Sequence, residues 1–197
     1  DIISALRLVV DTKDIYTRGH SDRVSYYALK LAEAMGKDAA FLERVRVAGL
    51  FHDVGKINIP DYILLKSTEL TAEEFNEVKK HPVKGKEILA AITMFSEIAP
   101  IVEQHHERFD GRGYPRGLKG PEILEEARLI SIADAFDAMT SHRRYRSNMT
   151  LEQAVDQLQK GKGSQFDAAA VDIFLKILET GYDDMRRELD WTFHKDE

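Results

Sequence analysis

Apolar residues recur at helical spacing along almost the whole chain, and no stretch of useful length alternates apolar and polar residues as a half-buried strand would. Ile2, Ile3, Leu6, Val9 and Val10 mark one apolar face, and Val24, Tyr27, Ala28, Leu31 and Met35 mark a second that stops at Gly36. A third run over 41–51 holds Leu42, Val45, Ala48 and Leu50 before INIP breaks the pattern at Pro60. Thr71 with Glu74, and Thr150 with Gln153, have the spacing of capping boxes and each predicts a helix start. Further helices are expected at about 83–98, 100–107, 122–141 and 167–180, the last with Asp167 as its N-cap and Gly181 as its stop. The chain has 197 residues, no internal repeat and no linker rich in Pro, Gly or Ser. That length can bury roughly 70% of its unfolded surface. The expected fold is therefore all-α, a single-domain helical bundle over 1–197.

One segment resists the helical pattern. Residues 109–121 read FDGRGYPRGLKGP and hold four of the twelve glycines and two of the five prolines. Such a density sets fixed turns and positive-φ positions, which predicts an ordered Gly-rich loop rather than a slack linker. Ordered loops are frequent carriers of function.

Cysteine is absent. That excludes a disulfide scaffold, a thiolate nucleophile, an iron–sulfur cluster and a cysteine-bound zinc finger. The net charge of -6 argues against a broad basic surface for DNA or for membranes, while leaving room for a small anion held by a few local cations. No apolar stretch approaches the ~18–20 residues that span a bilayer, and no signal peptide opens the chain. A cytoplasmic location is expected. Because Asp1 leads straight into helix-like sequence, the chain is expected to be excised from a longer protein.

The seven histidines lie at 20, 52, 81, 105, 106, 142 and 194. A lone histidine on a helix is ordinarily a core residue with a backbone partner. His20 in TRGHSDRV, the pair His52–Asp53 in LFHDVGK, His81 before Pro82, the pair His105–His106 in EQHHERFDG, and Asp134 in ISIADAFDAMT form a different pattern, and most sit near predicted helix ends. Neutral imidazole with carboxylate is a ligand set suited to zinc, iron, manganese or nickel. Five imidazoles and two carboxylates are more than one ion needs. If Asp53 bridges, two ions each receive four protein ligands. Asp137, one turn after Asp134, is a candidate to orient a ligand or water. Arg143 and Arg146 lie one turn apart and can project toward an anion, while Arg144 points elsewhere, into solvent.

HDVGK at 52–56, HP at 81–82, HHERFDGRGYPRGLKG at 105–120 and ADAFDAMTSHRRYR at 133–146 together resemble the HD-GYP domain, the branch of the HD phosphohydrolase superfamily that acts on cyclic di-GMP. The resemblance covers nearly the whole chain, with a core of about 11–180. It implies that one ion is held by His20, His52, Asp53 and Asp134, and a second by Asp53, His81, His105 and His106. Iron or manganese is expected first, with zinc or nickel admitted. Some members bind a third ion through a glutamate four residues before the first histidine. That position is Tyr16 here, which favours a binuclear centre and linear pGpG over GMP as product. Asp53 is the expected catalytic bridge. Lys56 matches a lysine beside the scissile phosphate, and Arg143 and Arg146 match cations that grip substrate phosphates. Asp110, Gly113, Tyr114 and Pro115 belong to the signature loop, expected to shape the pocket and a partner surface. His142 and His194 match no ligand position.

The implied reaction is hydrolysis of cyclic di-GMP. Because a phosphodiester repels hydroxide, two divalent ions are expected to activate water, fix it in line and neutralise charge at phosphorus. Two other readings stand beside it: a signalling module that binds cyclic di-GMP or a diguanylate cyclase (GGDEF) domain with little turnover, and a phosphodiesterase for another cyclic dinucleotide such as cyclic GMP–AMP. The family is often fused to a receiver or sensor domain. The first amphipathic helix is expected to pack in the core or to pair with a second copy, and the tail 183–197 reads as a helix extending past the core.

Overall fold

The computed structural model describes residues 19–141 and 148–193, the last four through their backbone only. The apolar face at 2–10 lies outside them. Helix α1, His20–Ala34, starts after Gly19 and ends before Gly36, whose φ of 70° makes it the predicted stop. Helix α2, Ala39–Phe51, is capped by Asp38, whose carboxylate accepts from the Phe41 amide at 2.8 Å. The two helices cross where Gly49 meets Ser25. A Cβ at 49 would sit 2.7 Å from the Ser25 Cα, so only glycine allows the approach. The crossing lies within five residues of His20 on one helix and of His52 on the other.

A 3-10 turn, Val54–Asn58, leads to the single turn α3, Asp61–Leu64, and to α4, Ala72–Val78. Then come α5, His81–Ala90, and α6, Ala99–Gln104. After the Gly-rich loop the chain forms α7, Glu125–Thr140; α8, Leu151–Gly161; and α9, Ala168–Phe193. Both predicted capping boxes form, at Thr71/Glu74 and Thr150/Gln153. Among the described residues there is no strand, only the isolated bridges Asp110–Lys119 and Lys162–Phe166. None of the helices is long and apolar enough to cross a membrane, again among the described residues.

The core joins α1, α2, α7 and α9 through Val24, Leu31, Ala48, Phe51, Ile130, Phe136, Val171 and Phe174, all fully buried. Each large apolar side chain there contributes about 1.5–3 kcal/mol of burial. Phe136 stands edge-on to Tyr27 at 5.1 Å and to Phe174 at 5.3 Å, which fixes α7 between α1 and α9.

Two sequence expectations are corrected. The helix predicted over 83–98 ends at Ala90, and a 3-10 turn at Thr93–Phe95 follows. This turn lets Leu89, Phe95 and Ile98 all reach the core, with the Phe95 ring 5.4 Å from that of Phe51. Gly181 is not a stop, because α9 runs through it to Phe193. Leu178, Met185 and Leu189 are buried and Tyr182 packs against the core, so one apolar stripe continues past the glycine. That burial outweighs the roughly 1 kcal/mol a helical glycine costs.

Candidate metal centre

Helix ends bring the chemistry-bearing residues together. His20 is the first residue of α1, His52 follows the last of α2, His81 opens α5, and His105 and His106 follow α6. Asp53 stands beside His52, and Asp134 and Asp137 face the group from α7. Three of these rings sit just past a helix, within reach of a carbonyl in that helix's last turn, three residues back, where backbone acceptors lack intrahelical donors. His52 Nδ1 lies 2.8 Å from Gly49 O, His81 Nδ1 2.7 Å from Val78 O, and His105 Nδ1 2.7 Å from Val102 O. A carbonyl oxygen only accepts, so each Nδ1 carries the proton and each Nε2 is left with its lone pair. For His20 the partner is the Asp137 carboxylate, 2.7 Å from Nδ1. Imidazoles held from behind in this way are the usual arrangement of metal-binding histidines.

The Nε2 atoms converge on Asp53. His81 Nε2 is 3.3 Å from Asp53 Oδ1, whereas His52 Nε2 and His20 Nε2 are 3.4 and 3.9 Å from Oδ2. His20 Nε2 is also 3.3 Å from Asp134 Oδ1, and His81 and His105 approach Nε2 to Nε2 at 3.3 Å. Two groups result. Ligand atoms of Asp53, His81, His105 and His106 lie within 4.8 Å of one another, as do those of His20, His52 and Asp134. Among the described residues the fully buried His52 Nε2 has no hydrogen-bond partner, its 3.4 Å approach to Asp53 lacking the geometry of one. A buried acceptor aimed at carboxylates has no protein partner to satisfy it, and a cation does. The donor set and this orphaned nitrogen both fit divalent metal binding.

At His105, His106, Asp53 and Asp134 electrostatics agree with that role. Burial, reinforced by His106 and His81, pushes the His105 pKa well below the ordinary value, and burial lowers His106 to about 4. Both rings are held neutral, the form that donates to a metal. Burial would raise Asp53, but the Lys56 ammonium and the His52 ring overcome it and hold the carboxyl well below the usual range. Asp134 is likewise held low against its burial, chiefly by the bond to His20. At His20 burial opposes charge, yet Asp134 and Asp137 outweigh it and raise the pKa to about 9.

Around this cluster, Lys56 Nζ lies 2.6 Å from Asp53 Oδ2. Asp137, 1% exposed, receives Arg23 Nε at 2.6 Å and Ser141 Oγ at 2.8 Å as well as His20. The Gly-rich loop closes one side. Tyr114 donates its amide to His106 O at 3.2 Å, and the two rings are 4.9 Å apart. The Tyr114–Pro115 peptide is cis. Gly113 lies against the backbone, where a Cβ would come 2.3 Å from the Arg108 amide. Asp110 serves the loop itself, paired with Arg108 at 2.9 Å and accepting from the Arg112 amide at 3.0 Å.

Three residues that sequence reasoning passed over shape the site. Buried Glu107 accepts from the Arg116 and Leu118 amides at 2.7 and 3.0 Å and so pins the loop; its position directly after the two histidines is the only signal it gives. Arg23 braces Asp137. Gly55 lets the 3-10 turn press on α5, since a Cβ there would fall 1.9 Å from His81 O. Arg143 and Arg146 lie outside the described residues, as do Tyr16, His142, Arg144 and His194.

A family model described as HD domain matches residues 6–170. The chain is 38% identical over 192 residues to a cyclic di-GMP phosphodiesterase of Thermotoga maritima, a match covering 96% of this chain and 52% of the relative. It is 34% identical over 194 residues to 3'3'-cGAMP-specific phosphodiesterase 3 of Vibrio cholerae, covering 97% of this chain and 42% of that one. The chain thus spans about half the length of the curated relatives it matches. The fold resembles the crystal structure of a Vibrio cholerae cyclic GMP-AMP phosphodiesterase, V-cGAP3, with a TM-score of 0.73 at 17% identity over 94% of this chain and 52% of that one.

Proposed function

The chain belongs to the HD-domain family, in its HD-GYP branch, and on that premise we propose that it hydrolyses cyclic di-GMP to linear pGpG with two divalent transition-metal ions. Iron or manganese is proposed first, with zinc or nickel compatible with the same ligands. The observation that carries the reading is Asp53, whose two oxygens face different imidazole groups, Oδ1 toward His81 and Oδ2 toward His52 and His20. A carboxylate so shared is suited to bridging. In this proposal His20, His52, Asp53 and Asp134 hold one ion, and Asp53, His81, His105 and His106 the other. Bound divalent ions supply the Lewis acidity that activates water and offsets charge at phosphorus.

The chain's own groups do the rest. Lys56, 2.6 Å from Asp53, brings a cation to the edge of the site, where a non-bridging phosphate oxygen is to sit. Asp137 keeps the His20 ring turned so that its Nε2 faces inward. Tyr114 and the loop behind it form a wall beside His106. Arg143 and Arg146 are proposed to take substrate phosphates. A diguanylate cyclase (GGDEF) domain is the proposed partner of the loop, whose Arg112 and Arg116 are exposed, and a fused receiver or sensor domain the proposed regulator. The reading implies a cytoplasmic location.

Similarity to the cGAMP-specific relative favours a second substrate, cyclic GMP–AMP, on the same centre. One assay tests both. Protein loaded with iron or manganese is incubated with cyclic di-GMP and with cyclic GMP–AMP, and the products are identified by chromatography. The expected result is pGpG from cyclic di-GMP, and loss of turnover and of most bound metal in Asp53→Ala. Full activity in that variant, or a metal-loaded wild type that cleaves neither dinucleotide, would sink the proposal.

A further inference from the structure

Lys79 closes α4, two residues before His81, and its ammonium is placed unlike those around it. Lys66 pairs with Glu74, Lys80 with Glu77, Lys84 with Glu87 and Lys86 with Glu103. Among the described residues Lys79 has no carboxylate partner; its Nζ lies 4.8 Å from the centre of the Phe75 ring and 5.7 Å from that of Tyr114. Tyr114 in turn stacks on His106, with ring centres 4.9 Å apart and planes tilted by 36°. The order outward from the candidate centre is therefore His106, Tyr114, Lys79, Phe75. Phe75 is 45% exposed, so its ring serves no core. Two aromatic faces hold a cation at the rim of the site by their negative faces and leave its hydrogens to be used by another group.

A cyclic dinucleotide has a charge problem that one metal centre does not solve. It carries two phosphates on a closed ring, and only one can lie on the ions while it is cut. The other remains an anion across the ring. A compact cation set one aromatic ring beyond a metal-side histidine matches that demand. We infer that Lys79 is a substrate-binding residue for the phosphate that is not being cleaved, and that Phe75 and Tyr114 position its ammonium. This rests on the cyclic-dinucleotide reading of the site.

The test compares cyclic di-GMP, with two phosphates, against bis(p-nitrophenyl) phosphate, with one, on metal-loaded protein. Lys79→Ala is expected to raise KM for cyclic di-GMP about tenfold or more, the loss of one charge-assisted bond, with kcat within about twofold. Its kcat/KM on the small diester and its metal content are expected to match wild type. Phe75→Leu should raise KM by a smaller factor, and Lys79→Arg should restore most of the affinity. An unchanged KM for cyclic di-GMP in Lys79→Ala overturns the inference, as does equal loss on both substrates or loss of metal, which mark a structural role. A wild type that cleaves the small diester but no cyclic dinucleotide overturns the functional reading, and this inference with it.

Discussion

At His20 the ring is set from behind by a chain of buried polar groups. Nδ1 faces Asp137 at 2.7 Å, and Asp137 is held by Arg23 Nε at 2.6 Å and Ser141 Oγ at 2.8 Å. Removing that carboxylate frees the ring to turn and leaves the Arg23 guanidinium without its partner. Asp137→Ala is therefore expected to weaken metal binding by about 10–100-fold, the usual cost of losing a group that orients a ligand. Asp137→Asn keeps one acceptor oxygen for Nδ1 and should lose less; calorimetric titration with manganese checks both, and equal affinity in wild type and Asp137→Ala would refute the role. The pairs His52–Asp53 and His105–His106 are conspicuous because adjacency itself is unusual for core histidines. Arg23 and Glu107 are silent, because each acts only through another residue: Arg23 on Asp137, Glu107 on the amides of Arg116 and Leu118. A charged residue in a helix or loop looks the same in sequence whether it faces water or braces a neighbour.

Helices were legible wherever local rules govern them. Gly36 stops α1, and Thr71 and Thr150 cap α4 and α8, each by a contact within a few residues. Glycines whose meaning lies in another segment misled or gave no sign. Gly181 has the local look of a terminator, yet the stripe through Leu178, Met185 and Leu189 carries α9 past it, and nothing lies within 4 Å of where its Cβ would be. Gly181→Ala is accordingly expected to stabilise the fold by about 0.5–1 kcal/mol, seen as a higher denaturation midpoint. Gly55 is the opposite case. Its Cβ would fall 1.9 Å from His81 O and 2.5 Å from the Gly85 amide, both on α5. Gly55→Ala should push α5 away at a cost of about 1–3 kcal/mol and carry His81 with it. Metal content should fall alongside the midpoint, and a variant that unfolds earlier while keeping full metal would show that α5 had not moved.

The molecule as a whole has two different joints. Apolar burial joins α1, α2, α7 and α9 and reaches α5 and α6 through Leu89, Ile101 and Val102. Helices α1, α2, α5, α6 and α7 also bring His20, His52, His81, His105 and Asp134 together in two neighbouring ligand groups. Without an ion that second joint holds crowded imidazoles and an orphaned His52 Nε2, a costly arrangement in a buried site. An ion that binds only the folded chain recovers that cost and adds its own binding energy, about 2.7 kcal/mol when free metal stands 100-fold above its Kd. For a chain of this size each kcal/mol moves the melting temperature by about 2–4 °C. Metal loading is thus expected to raise Tm by roughly 5–10 °C over chelator-treated protein. Asp53→Ala, which lacks the shared carboxylate, should show little of that gain. Scanning calorimetry of both proteins with manganese and with chelator makes the comparison, and a wild-type Tm indifferent to metal would mean that the cluster does not hold the helices together through an ion.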